Sequence, residues 1–257
     1  MTLLQPFIEF GFMRRALVAC IALALSATPL GVFLSLRRMS LIGDALSHAI
    51  LPGAAIGYLL SGLSLVAMGA GGLLAGLIVA LLSGAVSRYT PLKEDASFSG
   101  FYLGSLALGV TLVSLRGSSV DLLHVLFGSL LAVDSHALIL VAAIAAFTLL
   151  TLALIFRPLV IDAFDPDFLR VQNRWSAPLV QGLFLLLVVL NLVAGFQILG
   201  TLMSVGLMML PATSARFWSR RLTPLLFIAM LLAIAAALSG LMLSWYYSLP
   251  AGPAVVL

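Results

Sequence analysis

Apolar runs of roughly 20 residues follow one another along almost the whole chain, and short clusters between them hold most of the charge. A helix of about 20 residues is long enough to cross a hydrocarbon core of about 30 Å. The pattern predicts helical spans over 12–36, 45–61, 64–87, 97–115, 137–156, 178–196, 199–214 and 223–247. The fold class expected is therefore all-α: a polytopic transmembrane bundle of about eight spans, with residues 1–257 forming one transmembrane domain. The second and seventh spans are short. Pro52 and Gly53 break the second, and Gly206 and Pro211 loosen the seventh. Such helices are tolerated where protein buries them or where they line a cavity. The stretch 117–135 is too polar for an ordinary span and reads as a re-entrant or interfacial segment.

Composition supports the same picture. Of 257 residues, 63% are hydrophobic and only 9% charged, and mean hydropathy is +1.22. A soluble domain carries about 25% charged residues, so this chain cannot cover a water-facing surface of its size. The formal charge of +4 does not point to nucleic acid, because the basic residues sit at the ends of apolar segments. The one cysteine, Cys20, lies inside an apolar run and excludes an internal disulfide or a CxxC metal motif. The run Ala16 to Leu36 follows Arg14-Arg15, as a signal-peptide core would. It is longer than such a core and the chain stays apolar after it, so it reads as a first span.

Orientation follows from the basic residues. With the N-terminus outside, Arg37, Arg38, Arg88, Lys93, Arg157, Arg170, Arg174, Arg216, Arg220 and Arg221 face the cytoplasm, and only Arg14, Arg15 and Arg116 lie outside. The positive-inside rule favours that arrangement over its inverse. No fixed-period repeat occurs, and no GxxxxGK[ST] phosphate loop, so any ATP-driven motor belongs to another subunit.

Four segments carry candidate chemistry. In RRMSLIGDALSHAILPGAAIG, residues 37–57, Asp44 and His48 are four apart and share one helix face. Carboxylate and imidazole suit Mn²⁺, Fe²⁺ or Zn²⁺, and ionisable groups at the start of an apolar span often mark an ion path. The same pair also fits an aspartate held by the helix dipole with a histidine at the water interface. In VDLLHVLFGSLLAVDSH, residues 120–136, Asp121 and His124 either join an ion path or sit in a wet outer loop; Asp134 and His136 read as loop and span-start residues. LPATSARFWSRRL, residues 210–222, fits an ordinary cytoplasmic loop with an interfacial Trp218, or a short cytoplasmic helix that docks into a partner. FRPLVIDAFDPDFLRVQNRW, residues 156–175, mixes Asp162, Asp165 and Asp167 with Arg157, Arg170 and Arg174 and reads as a solvated connector; Pro166 and the ligand spacing do not suit a Ca²⁺ loop.

Taken in order, these segments resemble the ABC-3 family of permeases, the membrane subunits of bacterial zinc, manganese and iron ABC importers. FMRRALVACIALALSATPLGVFLSLRRMSLIGDALSHAILPG is similar to the family's first two spans, VDLLHVLFGSLLAV to its middle motif and FDPDFLRVQ to its connector. LMSVGLMMLPATSARFWSRRL is similar to its late span and turn, and PAGPAVVL to its C-terminal signature. The resemblance implies a fold related to siderophore and cobalamin importer permeases. It implies that Asp44 and His48 belong to the metal path, with His124 and Asp121 as further candidates. It implies that Pro211, Ala212, Thr213, Ala215, Arg216, Arg220 and Arg221 contact the ATPase. The implied partners are a cytoplasmic ATP-binding subunit, an extracytoplasmic metal-binding receptor, and a second permease copy facing the first across a channel. The implied setting is the bacterial cytoplasmic membrane. Zinc, manganese or iron is cargo, ATP is used by the partner, and this chain holds no cofactor and performs no chemistry.

The sequence departs from the family pattern at Ser248, where many relatives carry an acid, and at Ser129, where some zinc permeases carry Asp, which leans toward manganese or iron. The family pattern also continues into one more span after AVVL. Other functions fit less well. A helical HExxH for an intramembrane metalloprotease is absent, and adjacent Ser47 and His48 cannot face each other as nucleophile and base. A chelate permease would lack the Asp44/His48 pair, and a proton-coupled carrier would need no ATPase.

Overall fold

A computed structural model describes residues 5–62, 64–90, 94–114, 134–165, 168 and 176–257. Among these, every regular element is an α-helix: α1 (Gln5–Glu9), α2 (Gly11–Leu36), α3 (Ser40–Ala49), α4 (Leu51–Ser61), α5 (Leu65–Tyr89), α6 (Glu94–Ser114), α7 (Ser135–Phe164), α8 (Ser176–Leu199), α9 (Thr201–Ala215), α10 (Leu222–Tyr247) and α11 (Ala251–Val256). The all-α expectation holds. Five helices, α2, α5, α7, α8 and α10, are long and apolar enough to cross a membrane, and α6 and α9 contain shorter apolar stretches.

Contacts at the helix ends fix the direction of each helix. The start of α2 meets the end of α10, where Phe10 and Phe12 pack on Trp245 with ring centroids 4.8 and 6.2 Å away. The other end of α2 meets the ends of α7 and α9: Arg37 pairs with Asp162, and Arg216 donates to the Ser35 hydroxyl at 3.1 Å. Helices α2, α7 and α9 therefore run one way, and α8 and α10 the other. Arg37, Arg38, Arg157, Arg216, Arg220 and Arg221 gather at one end of the bundle, with Arg14 and Arg15 at the opposite end. The charge asymmetry read along the chain is thus an asymmetry in space.

Lipid is as apolar as a leucine side chain, so helices associate in it through close packing of small residues and through hydrogen bonds. Both devices are present. On α10, Ala229, Ala233 and Ala237 recur every four residues and are fully buried, a stripe of small residues that lets α10 lie close to its neighbours. Gly53 of α4 and Gly71 of α5 touch backbone to backbone. Within the apolar interior, Asn191 of α8 donates to the Thr148 hydroxyl of α7 at 2.7 Å and to the Leu187 carbonyl at 2.9 Å. The most enclosed helices are α2 and α8, around which the others are arranged.

The turn from α2 to α3 sets the next helix. Met39 N–H donates to Leu34 O at 2.9 Å, and Arg38 N–H to Ser35 O at 3.2 Å. That pattern is a Schellman helix end, and it puts Arg38 in the left-handed region with φ 59°. Beyond it, α3 leans on α9. Gly31 of α2 lies against the backbone carbonyl of Met208, and a Cβ on Gly43 of α3 would come within 2.9 Å of Met208 Cε. Met208 is thus a fully buried wedge between α2 and α3.

Three sequence expectations change. The second span begins at Ser40 rather than 45, and its break falls at Ile50, between α3 and α4. Pro52 has no N–H to offer the His48 carbonyl four residues back, while Gly53 is a packing contact and not a break. The polar stretch from 156 is helical as far as Phe164, and Asp162 is not solvated. It forms an ion pair with Arg37, the two side chains only 13% and 8% exposed, and the Arg37 guanidinium lies 4.7 Å from the Phe184 ring centroid. Residues 216–221 form turns rather than a separate helix. The C-terminal half of the connector, apart from Phe168, and residues 117–133 of the 117–135 segment lie outside the described residues.

Two outcomes follow from this packing. Gly31→Ala drives a methyl into the Met208 carbonyl and lowers stability by about 2 kcal/mol, read as a lower thermal midpoint of the detergent-purified protein. Asp162→Asn leaves the Arg37 charge enclosed without its counter-ion and costs about 3 kcal/mol, whereas the double variant Arg37→Met with Asp162→Leu recovers most of that loss. Equal midpoints for the single and double variants would contradict the pairing.

Candidate metal path

Helix α3 carries the pair that the sequence singles out. Its first turn, Ser40–Gly43, holds no acidic residue, so Asp44 lies one turn inside the helix and beyond reach of the helix-dipole explanation. His48, in the last turn, is enclosed between α3 and α6, its side chain 13% exposed, with the Tyr102 ring centroid 5.3 Å from its own. Asp44 thus lies past the first turn, and His48 is largely enclosed by protein.

Leu41, Asp44 and His48 fall on one face of α3 by their three- and four-residue spacing. The opposite face, with Ile42, Gly43, Leu46 and Ala49, is buried. The Asp44 side chain is 53% exposed and its Oδ1 lies 3.8 Å from His48 Nε2. Two donor atoms each about 2.1 Å from one ion stand about 3.0–3.4 Å apart, so a small closure of the pair would let both hold one ion. Ser47 is buried, its hydroxyl donating back to the Asp44 carbonyl at 2.7 Å. Among the described residues no group of three or more His, Cys, Asp or Glu side chains comes together. Asp44 and His48 are, among the described residues, the two such ligands at this position.

The other candidates are placed as follows. Asp121, His124 and Ser129 lie outside the described residues. Asp134 caps α7, accepting the Ser135 N–H at 2.6 Å, and His136 is exposed; both are the span-start residues expected. At the end of α9, Pro211, Ala212 and Ala215 are buried, and Thr213 turns its hydroxyl back to Met209 O and Leu210 O at 3.1 and 3.0 Å. Arg216 reaches Ser35. Arg220 and Arg221 are exposed, and beside them Phe217 and Trp218 are 92% and 76% exposed. Phe217 was not singled out in the sequence. Its signal is a large apolar residue between two basic ones, beyond the end of a span.

A polytopic helical bundle with an ionisable pair on a broken helix, and basic and aromatic side chains projecting from one end, has the build of a membrane transport subunit. Residues 9–257 match the family model described as the ABC 3 transport family; the chain belongs to that family, and it is the membrane permease of an ABC importer. It is 33% identical over 254 residues to the manganese transport system membrane protein MntC of Halalkalibacterium halodurans, covering 98% of this chain and 85% of that one. It is 31% identical to the manganese import system permease protein ScaB of Streptococcus parasanguinis, covering 97% and 87%. It is 29% identical to a probable iron transport system membrane protein of Haemophilus influenzae, covering 99% and 92%. Among solved structures, PsaBC from Streptococcus pneumoniae in complex with Fab matches with TM-score 0.86 at 30% identity, covering 99% of this chain and 90% of that one. A putative metal-chelate type ABC transporter in an inward-facing conformation matches with TM-score 0.76 at 18% identity, covering 98% and 83%, and shares the fold.

Proposed function

We propose that this permease carries manganese or iron into the cytoplasm and that Asp44 and His48 form the protein's contact with the ion along the way. The observation that supports this reading is the half-exposed Asp44 carboxylate beside an enclosed imidazole, on a helix otherwise apolar. A carboxylate facing lipid is expensive, so such a group faces water, an ion or a partner. The relatives named for manganese and iron supply the cargo; zinc, which the residue types also allow, has no such support here.

Asp44 and His48 of one copy do not by themselves complete the coordination of a divalent ion, which takes about four to six donors. A second copy, related by a twofold axis, would bring its own Asp44 and His48 to the same place, and water would supply the rest. Few ligands and partial exposure suit a path, which must bind loosely enough to release. Residues 1–257 act as one transmembrane domain in the bacterial inner membrane. ATP hydrolysis belongs to a cytoplasmic partner, which docks on the end marked by Phe217, Trp218, Arg220 and Arg221. Metal arrives from an extracytoplasmic receptor. Movement of the docking end reaches the pair through α9, whose Met208 presses on Gly43, the residue before Asp44.

Two experiments test this reading. In vesicles holding the permease with its partner subunits, Asp44→Asn combined with His48→Ala lowers ATP-dependent Mn²⁺ uptake at least about a hundredfold, since even groups that merely orient a ligand are worth about 10–100-fold; insertion and assembly persist. Normal uptake would remove the pair from the path. For orientation, Cys20 is buried, so a Trp218→Cys variant reacts with an impermeant maleimide in inside-out vesicles and not in right-side-out ones. Labelling from the outer face alone would invert the topology.

A further inference from the structure

His48 is held in an unusual way for a metal-binding imidazole. Such a histidine almost always donates its second ring N–H to a carboxylate, a backbone carbonyl or a water, which fixes the ring. Here Nε2 is the nitrogen nearer Asp44, and Nδ1 is buried with no hydrogen-bond partner among the described residues. What faces the imidazole instead is the ring of Tyr102, with centroids 5.3 Å apart and planes inclined by 45°. That is a contact of aromatic type, within the usual 4.5–7 Å range.

Tyr102 is itself well fixed. It projects from α6, which is tied down on both sides of it. One turn before, Phe98 is buried in the core shared with α3, and Ser97 and Ser83 exchange hydrogen bonds at 3.2 and 3.0 Å that clamp α6 to α5. Two turns after, Gly109 lies against Leu51 and Pro52, so that a Cβ there would stand 3.1 Å from the Pro52 nitrogen. Both attachments bracket the α3–α4 break. The Tyr102 ring is thus carried on a helix anchored to the same kinked segment as the imidazole it faces.

Resting on the metal-path reading above, we infer that Tyr102 is a positioning residue for transport: its ring, rather than a hydrogen bond to Nδ1, sets the angle at which the His48 imidazole meets the passing ion. A ring contact of this kind restrains the orientation of the imidazole, so that the ligand is held aligned for the passing ion. The aromatic face carries the role and the phenol hydroxyl does not.

The test uses the assembled transporter in proteoliposomes with Mn²⁺ as the probe, comparing Tyr102→Phe, Tyr102→Leu and Tyr102→Met. The Phe variant keeps the half-saturating Mn²⁺ concentration within about twofold of the parent. The Leu and Met variants raise it about tenfold, as loss of a ligand-orienting group does, with the maximal rate nearly kept. An unshifted half-saturation in both aliphatic variants overturns the inference, as does a Phe variant as impaired as they are. A fall in yield or maximal rate alone, without the shift, marks Tyr102 as packing only and overturns it too. His48→Ala is run beside them. If His48→Ala abolishes uptake while Tyr102→Leu changes nothing, the positioning role fails and the path stands. If His48→Ala transports normally, the path itself fails.

Discussion

A carboxylate on a membrane-spanning helix must be hydrated, paired or liganded, and the arrangement around Asp44 follows from that requirement. Its side chain is half exposed on a helix whose other face is packed against the protein. Arg37 and Asp162 meet the same requirement in the opposite way, by closing on each other beside an aromatic ring. One pair is enclosed within the chain and holds helices together. The other is open, with its carboxylate half exposed. That difference in exposure distinguishes the two pairs more clearly than residue type does.

The rest of the bundle holds the open pair in place while leaving it movable. Helix α3 is set by the Schellman turn at Arg38, backed by Met208 of α9 through Gly43 and faced by Tyr102 of α6. Its far end is interrupted before Pro52. A short helix supported on several sides and free at a break can tilt as a unit, and α9 runs from its back directly to the exposed Phe217 and Trp218. Under the proposed docking of the ATP-binding subunit at that end, a displacement of α9 would act one residue from Asp44.

Much of this was legible in the sequence. Span length and composition gave the helical membrane bundle, because the hydrocarbon core imposes a length that soluble folds do not share. The four-residue spacing of Asp44 and His48 alone puts them on one helix face. Other features depend on contacts between distant segments. Arg37 and Asp162 are 125 residues apart, and nothing local distinguishes Asp162 from its neighbours Asp165 and Asp167, so a polar stretch looked solvated when its first part is helix. Tyr102 sits in an unremarkable apolar run, and its role depends on what α6 faces. Pro52 announced a break, but the helix yields just before it, where the missing N–H would have bonded, and the adjacent glycine serves packing.

The central point, that the imidazole of His48 meets the cargo ion, is open to direct spectroscopy. Mn²⁺ trapped in the assembled transporter and observed by pulsed paramagnetic resonance is expected to show nitrogen couplings from imidazole, which disappear in the His48→Ala variant. A trapped ion with oxygen ligands only, or with nitrogen couplings that persist without His48, would contradict the assignment of the path.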